Sequence, residues 1–265
     1  MSGALTTAYE LVAAEWLKLR STRTNWMIGL VALGLTLVFS GLLLAFIGAD
    51  AWAEPDSFTA ITIPGAVVGL LTLVIGVLGM AGEFRHGTIT YTFLAVPHRA
   101  RVMVLKLAFY FAIGVLAALV TLVALEVLAA VVLTIRGIPI IYPQGDEWAH
   151  CGRLLLTTGL FGAFGVALSA LLRSQVLTVT LAMVWLVIEW IVAPLVLQAM
   201  DHAGWIIYFP FFVFIQATGL LGIDGGSGDG GVEFLSAGRA QLLGLAYIVI
   251  AAVIATLTTM RRDVT

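Results

Sequence analysis

Apolar residues in this chain come in long, nearly uninterrupted blocks, and polar residues are confined to the short stretches between them. A helix needs roughly 20 apolar residues, at about 1.5 Å each, to cross the hydrocarbon of a bilayer. Six blocks meet that length, at residues 26–48, 63–81, 102–134, 152–172, 176–200 and 240–259. The third is longer than a bilayer requires and is expected to tilt or to project beyond one surface. A seventh block, 203–223, also lacks charge, but it contains Pro210, Gln216 and several glycines and is crowded with aromatics near its start. It reads as a re-entrant or interfacial segment.

Two polar stretches carry more pattern than a solvated loop needs. Residues 6–23 place Tyr9, Val12, Trp16 and Leu19 at helical spacing, with Glu10, Glu15 and Lys18 elsewhere and Arg20 and Arg23 able to reach towards headgroups. That is the pattern of a helix lying along a membrane surface, the alternative being a disordered tail. The connection 82–101, GEFRHGTITYTFLAVPHRAR, is too polar for lipid yet includes Phe84, Ile89, Tyr91, Phe93 and Leu94. Either it packs against another surface or it is an ordinary amphipathic interface helix. Glu83 is expected near the start of a short helix, where it would suit the helix dipole, with a bend at Gly87 and an end at Pro97.

Composition agrees with lipid as the solvent: the 265 residues are 61% apolar and 11% charged, against about a quarter charged in soluble domains. The net charge of −2 offers no basic field for nucleic acid, and the single cysteine, Cys151, allows no internal disulfide. No cleavable leader pattern opens the chain, so the first span is expected to serve as the targeting signal. Ten of the thirteen basic residues fall on one side of a six-span arrangement: Lys18, Arg20, Arg23, Arg85, Arg99, Arg101, Lys106, Arg173, Arg261 and Arg262. Arg136, Arg153 and Arg239 share the other side with most of the acids. Basic loops tend to stay cytoplasmic, so a bacterial inner-membrane protein with both termini inside is expected, and a seventh crossing would reverse the bias at Arg261 and Arg262.

Few residues invite chemistry. The run 224–231, DGGSGDGG, lacks the Lys-Ser/Thr that closes a phosphate loop and reads as a flexible external loop. Glu147, His150 and Cys151 have no second ligand cluster to complete a metal site, so no metal is expected. Gly159, Gly162, Gly165 and Ser169 recur every three or four residues and should let another helix approach closely. Glu126 and Glu189 lie within spans, where a carboxylate costs on the order of 3 kcal/mol at the bilayer centre. They either line an externally open cavity or make snorkelling or interhelical hydrogen-bonding contacts.

Glu83, Gly87, Thr88, Ile89, Leu94, Ala95, Pro97 and Arg99 resemble the E-x-x-x-G-T-[IL] and L-[AT]-x-P-x-R pattern that follows the second span of ABC-2-type exporter permeases. Glu15, Lys18, Ser21 and Thr22 resemble that family's amphipathic entry helix. The resemblance implies an all-α permease with six spans, an N-terminal interface helix, a cytoplasmic coupling helix and an external re-entrant segment before the last span. It implies that Glu83, Phe84, Arg85, His86, Gly87 and Thr88 form or adjoin the contact with a separate ATP-binding subunit, present in two copies. Arg173, Ser174 and Gln175 would make a smaller second contact. A second permease subunit, identical or paralogous, would complete the unit. The chain has no Walker A sequence, so ATP and magnesium would be bound by the partner and no cofactor by this chain. An amphipathic or lipid-like cargo would move outward. Competing readings are a proton-driven transporter using Glu126 and Glu189 and a non-transporting membrane immunity protein. An intramembrane enzyme lacks a constellation to support it, since His86, His98, His150 and His202 all fall outside the spans and no HExxH or GxSxG occurs.

Overall fold

The computed structural model describes residues 2–48, 52, 57–96, 98–140, 142–143, 145–199, 203–219 and 234–259. Pro97, the glycine-rich run 224–231, the end of the re-entrant segment at 220–223 and Arg261 and Arg262 lie outside them. Among the described residues all regular structure is helical. The helices are α1 (Ser2–Ser21), α2 (Arg23–Phe46), α3 (Ser57–Thr62), α4 (Ala66–Arg85), α5 (Ile89–Ala95), α6 (Arg99–Ile135), α7 (Asp146–Leu172), α8 (Gln175–Val187), α9 (Ala193–Ala199), α10 (Pro210–Thr218) and α11 (Ala237–Ile254).

Six helical stretches are long and apolar enough to cross a membrane: Arg23–Phe46, Phe58–Arg85, Arg99–Ile135, Asp146–Leu172, Gln175–Val196 and Ala237–Thr258. Each coincides with an expected span but starts or ends differently, because backbone hydrogen bonding carries a helix past the edge of its apolar block. The second begins earlier, through α3 and a 3₁₀ turn at Ile63–Gly65 that leads into α4. The fifth passes through a π-helical turn at Ile188–Val192 before α9. The 37 residues of α6 run for about 55 Å.

α7 is the axis of the bundle. Of its most apolar 18-residue stretch 78% is buried, against 22% for α2, α6 and the fifth span. Its neighbours are α4, α6, α10 and α11. Gly162 abuts the Tyr110 backbone of α6, and Gly165 abuts the Leu73 backbone of α4, so a β-carbon at either would collide with main chain. The facing helices answer with glycines of their own: Gly76 lies against the Gly162 carbonyl and Gly114 against the Thr158 carbonyl. Ser169 is buried and donates to the Val166 carbonyl at 3.1 Å. Small residues on both partners bring the axes close and gain dispersion contact, the main adhesive between helices that have no water to expel.

α10 has nine residues, about 14 Å of helix, too short to cross a bilayer. It lies against α7 and α11, where Phe214 meets Phe161 and Phe164 at ring-centroid distances of 4.6 and 5.2 Å. Gln216 fastens it in place by donating to the Ile207 carbonyl at 2.7 Å and accepting from the Leu235 amide at 2.8 Å.

Candidate functional site

The polar centre of the molecule sits where α1, the end of α4 and the start of α6 meet. Glu15 of α1, Glu83 of α4 and Lys106 of α6 are 5%, 3% and 2% exposed. Lys106 Nζ donates to Glu83 Oε1 at 2.9 Å and pairs with Glu15 Oε1 as well. Lys18, whose side chain is 44% exposed, donates to Glu15 Oε1 at 2.9 Å and also pairs with Glu83. The Tyr110 hydroxyl closes the cluster, donating to Glu15 Oε2 at 3.2 Å. Two carboxylates and two ammonium groups leave no formal net charge, which is the condition for keeping ions out of water without a large desolvation deficit. Burial by itself would raise the Glu15 pKa, but Lys106 and Lys18 outweigh it and lower it. Burial likewise opposes the charge on Lys18, and Glu15 and Glu83 more than compensate, so its pKa is raised.

This arrangement corrects the expectation for Glu83. It does not begin a short helix; it lies in the last turn of α4, which continues to Arg85. A carboxylate there opposes the negative end of the helix dipole, and Lys106 and Lys18 offset that penalty. Its side chain therefore points into the bundle. The other residues of the group face outward: Arg85, His86, Gly87 and Thr88 are exposed and Phe84 is half-buried. Gly87, at φ +67°, supplies the left-handed turn after α4.

α5 then presents two faces. Ile89 is fully buried, whereas Tyr91 and Leu94 are 74% and 76% exposed. Arg99 lies over the Phe93 ring at 5.1 Å, tying the end of this connection to α6. The second expected contact adjoins the first. Arg173, at φ +54°, occupies the left-handed turn between α7 and α8 and lies 5.7 Å from the centre of the Phe84 ring. Ser174 caps α8 by accepting from the Leu177 amide at 3.3 Å, and Gln175 is that helix's first residue. Arg173 and Phe84 thus bring the two groups, 84–88 and 173–175, next to each other.

Lys106 and Tyr110 are not among the expected site residues, and Glu15 is expected only as part of the entry helix. Lys106 did carry a signal: it stands five residues inside the apolar run 102–134, where a charge demands a partner. The identity of that partner, 91 residues earlier in the chain, had none.

Glu189 and Glu126 are not brought together. Glu189 is fully buried. It accepts from the Phe211 and Phe212 amides at 3.2 and 3.0 Å and from the Trp185 indole. Pro210 is the first residue of α10, so Glu189 satisfies orphan donors of that helix from across the chain and meets the positive end of its dipole. Glu189 thus makes hydrogen bonds between helical segments. Glu126 is half-buried on α6. His150 is also engaged, with Nε2 2.8 Å from the Thr62 hydroxyl. Among the described residues no three His, Cys, Asp or Glu side chains converge as metal ligands.

Six helices of this length and apolar character define a multi-pass membrane protein. No protein-family model and no curated protein matches the chain.

Proposed function

We propose that this chain is the membrane-spanning subunit of an ATP-binding-cassette exporter of the ABC-2 type, with ATP and magnesium bound by a separate subunit. The observation that carries the reading is the connection between α4 and α6. Its exposed Tyr91 and Leu94 stand on a short helix outside the spans, next to the outward-facing residues 85–88 and the Arg173 turn. Two large apolar side chains on a polar connection favour docking on another surface. The Glu83–Lys106 pair bridges the two ends of that connection, and Glu15 joins it to α1. A push on α5 would therefore reach α1, α4 and α6 together.

In this reading α1 is the interface helix, α5 with its flanks is the coupling element, and residues 203–219 form an external re-entrant segment. The basic residues put the α1 side in the cytoplasm of a bacterial cell. Two permease subunits and two ATPase subunits make the working unit, and an amphipathic or lipid-like cargo moves outward. ATP acts by binding one arrangement of the permease pair better than the other. The hydrogen bonds that Glu189 accepts from α10 and Trp185 favour a structural role for it over the proton-driven alternative.

The test is co-purification from the native host in mild detergent, comparing wild type with Tyr91→Ser/Leu94→Asp. These exposed positions can be changed without disturbing the bundle. Recovery of an ATPase subunit with wild type and its loss from the variant is expected. Absence of any ATPase from the wild-type sample, under conditions that preserve a known permease and ATPase pair, would refute the assignment.

A further inference from the structure

The first turns of α2 do not close fully against α4 and α6. An apolar cavity of about 290 Å³ remains between them, half open on one side, and α1 covers its end through Trp16 and Leu19. Its walls include Gly29 on α2 and Ala117 and Thr121 on α6. The α1 end differs in chemistry. Asn25 lines it with a buried side-chain oxygen that has no hydrogen-bond partner. Trp26, beside it, donates its indole N–H to the Arg20 carbonyl at 3.0 Å, which fixes the corner between α1 and α2 at the rim. Arg20 and Arg23 are exposed on that corner.

We infer that this cavity holds one acyl chain of an anionic phospholipid from the leaflet on the α1 side, with its headgroup at the corner that carries Arg20 and Arg23. Three observations select that occupant. Apart from Thr72 and Thr121, whose hydroxyls donate to the Val68 and Ala117 carbonyls of their own helices, the walls are apolar, and Asn25 lies at the α1 end, which matches the division of a lipid into tail and head. The two arginines complement a negative headgroup, and the unpaired Asn25 oxygen suits a headgroup that carries hydroxyl donors, as phosphatidylglycerol does. The inference needs only that the bundle is embedded in lipid; it does not depend on the exporter reading.

The experiment is native mass spectrometry of the full chain, released in mild detergent from bilayers of equimolar dioleoyl phosphatidylglycerol and dioleoyl phosphatidylcholine. Wild type is expected to retain phosphatidylglycerol in preference to phosphatidylcholine. Arg20→Gln/Arg23→Gln should lower that preference, by roughly fivefold for each arginine, the ordinary worth of a basic side chain at an anionic surface. Gly29→Leu should abolish retention of one lipid of either kind. A β-carbon at Gly29 meets open space, so the added side chain enters the cavity without straining the fold. Ala117→Leu fills the same space from the opposite wall and serves as the second variant. Equal retention and equal preference in wild type and all folded variants would overturn the inference. So would a change in the number of protein copies on filling the cavity with lipid retention unchanged, which would make the space a subunit contact.

Discussion

Replacing Lys106 by methionine keeps the length of the side chain and removes its charge from the centre of the cluster. Glu15 and Glu83, 5% and 3% exposed, would then share a single cation, the partly exposed Lys18. One carboxylate charge would be left without a counterion in a space that water does not reach. Breaking a buried pair in this way typically costs about 3–5 kcal/mol, because the surviving ion keeps its desolvation penalty and loses the attraction that offset it. For a chain of this size each kcal/mol corresponds to roughly 2–4 °C, so Lys106→Met should lower the midpoint of thermal inactivation by on the order of 10 °C. The readout is the fraction of monodisperse protein after heating in detergent, scored by size exclusion.

The charge argument makes a second, sharper demand. Lys106→Met combined with Glu15→Gln removes one charge of each sign and leaves Lys18 paired with Glu83, so it should be more stable than Lys106→Met alone despite carrying more substitutions. A single variant within about 0.5 kcal/mol of wild type would show that the cluster contributes little. A double variant no better than the single would show that packing around the lysine stem, and not charge balance, sets the cost.

The other expectations are read in the same thermal assay. Gly76→Ala should cost about 1–3 kcal/mol by driving a methyl group into the Gly162 backbone, whereas Gly82→Ala, whose β-carbon meets open space, should be neutral or slightly stabilising. Glu189→Ala leaves the Phe211 and Phe212 amides and the Trp185 indole without their acceptor. It should cost about 1–3 kcal/mol for the unpaired donors and speed hydrogen exchange at the start of α10, and unchanged exchange there would contradict the capping role. The cluster also sets a pH dependence. Glu15 has a lowered folded pKa, so its contribution is complete above its ordinary value of 4.5 and is lost as pH falls through the lower folded value. Lys18 has a raised folded pKa, so its contribution is complete below 10.5 and is lost as pH rises through the higher folded value. Stability from these two groups should be flat across neutral pH and fall only beyond both ends, and a midpoint that drifts steadily between pH 6 and 9 would have to come from other groups.

Six membrane-crossing helices could be read from the chain because the bilayer imposes a simple rule: backbone polar groups must be satisfied within each span, and side chains must be apolar for about 20 residues. The close approach at Gly162 and Gly165 was legible for a related reason, since small residues at helical spacing admit a neighbour whatever that neighbour is. What faces them was not: the spacing names no partner, and only the packing sets Gly162 against Gly76 of α4 and Tyr110 of α6 and Gly165 against Leu73 of α4. Charge was legible as placement and not as pairing. The cations around the 82–101 connection could be counted, but Lys106 finds Glu15 across 91 residues of chain and Glu83 across 23. That encounter carries α4 beyond its apolar run to Arg85 and turns Glu83 inward. Glu189 follows the same logic, since a carboxylate in an apolar run announces that it needs donors without saying which. Its donors exist only once α10 has folded with its N-terminus against the fifth span. A long-range electrostatic partner costs nothing to specify locally and leaves no periodicity, so tertiary structure alone decides it.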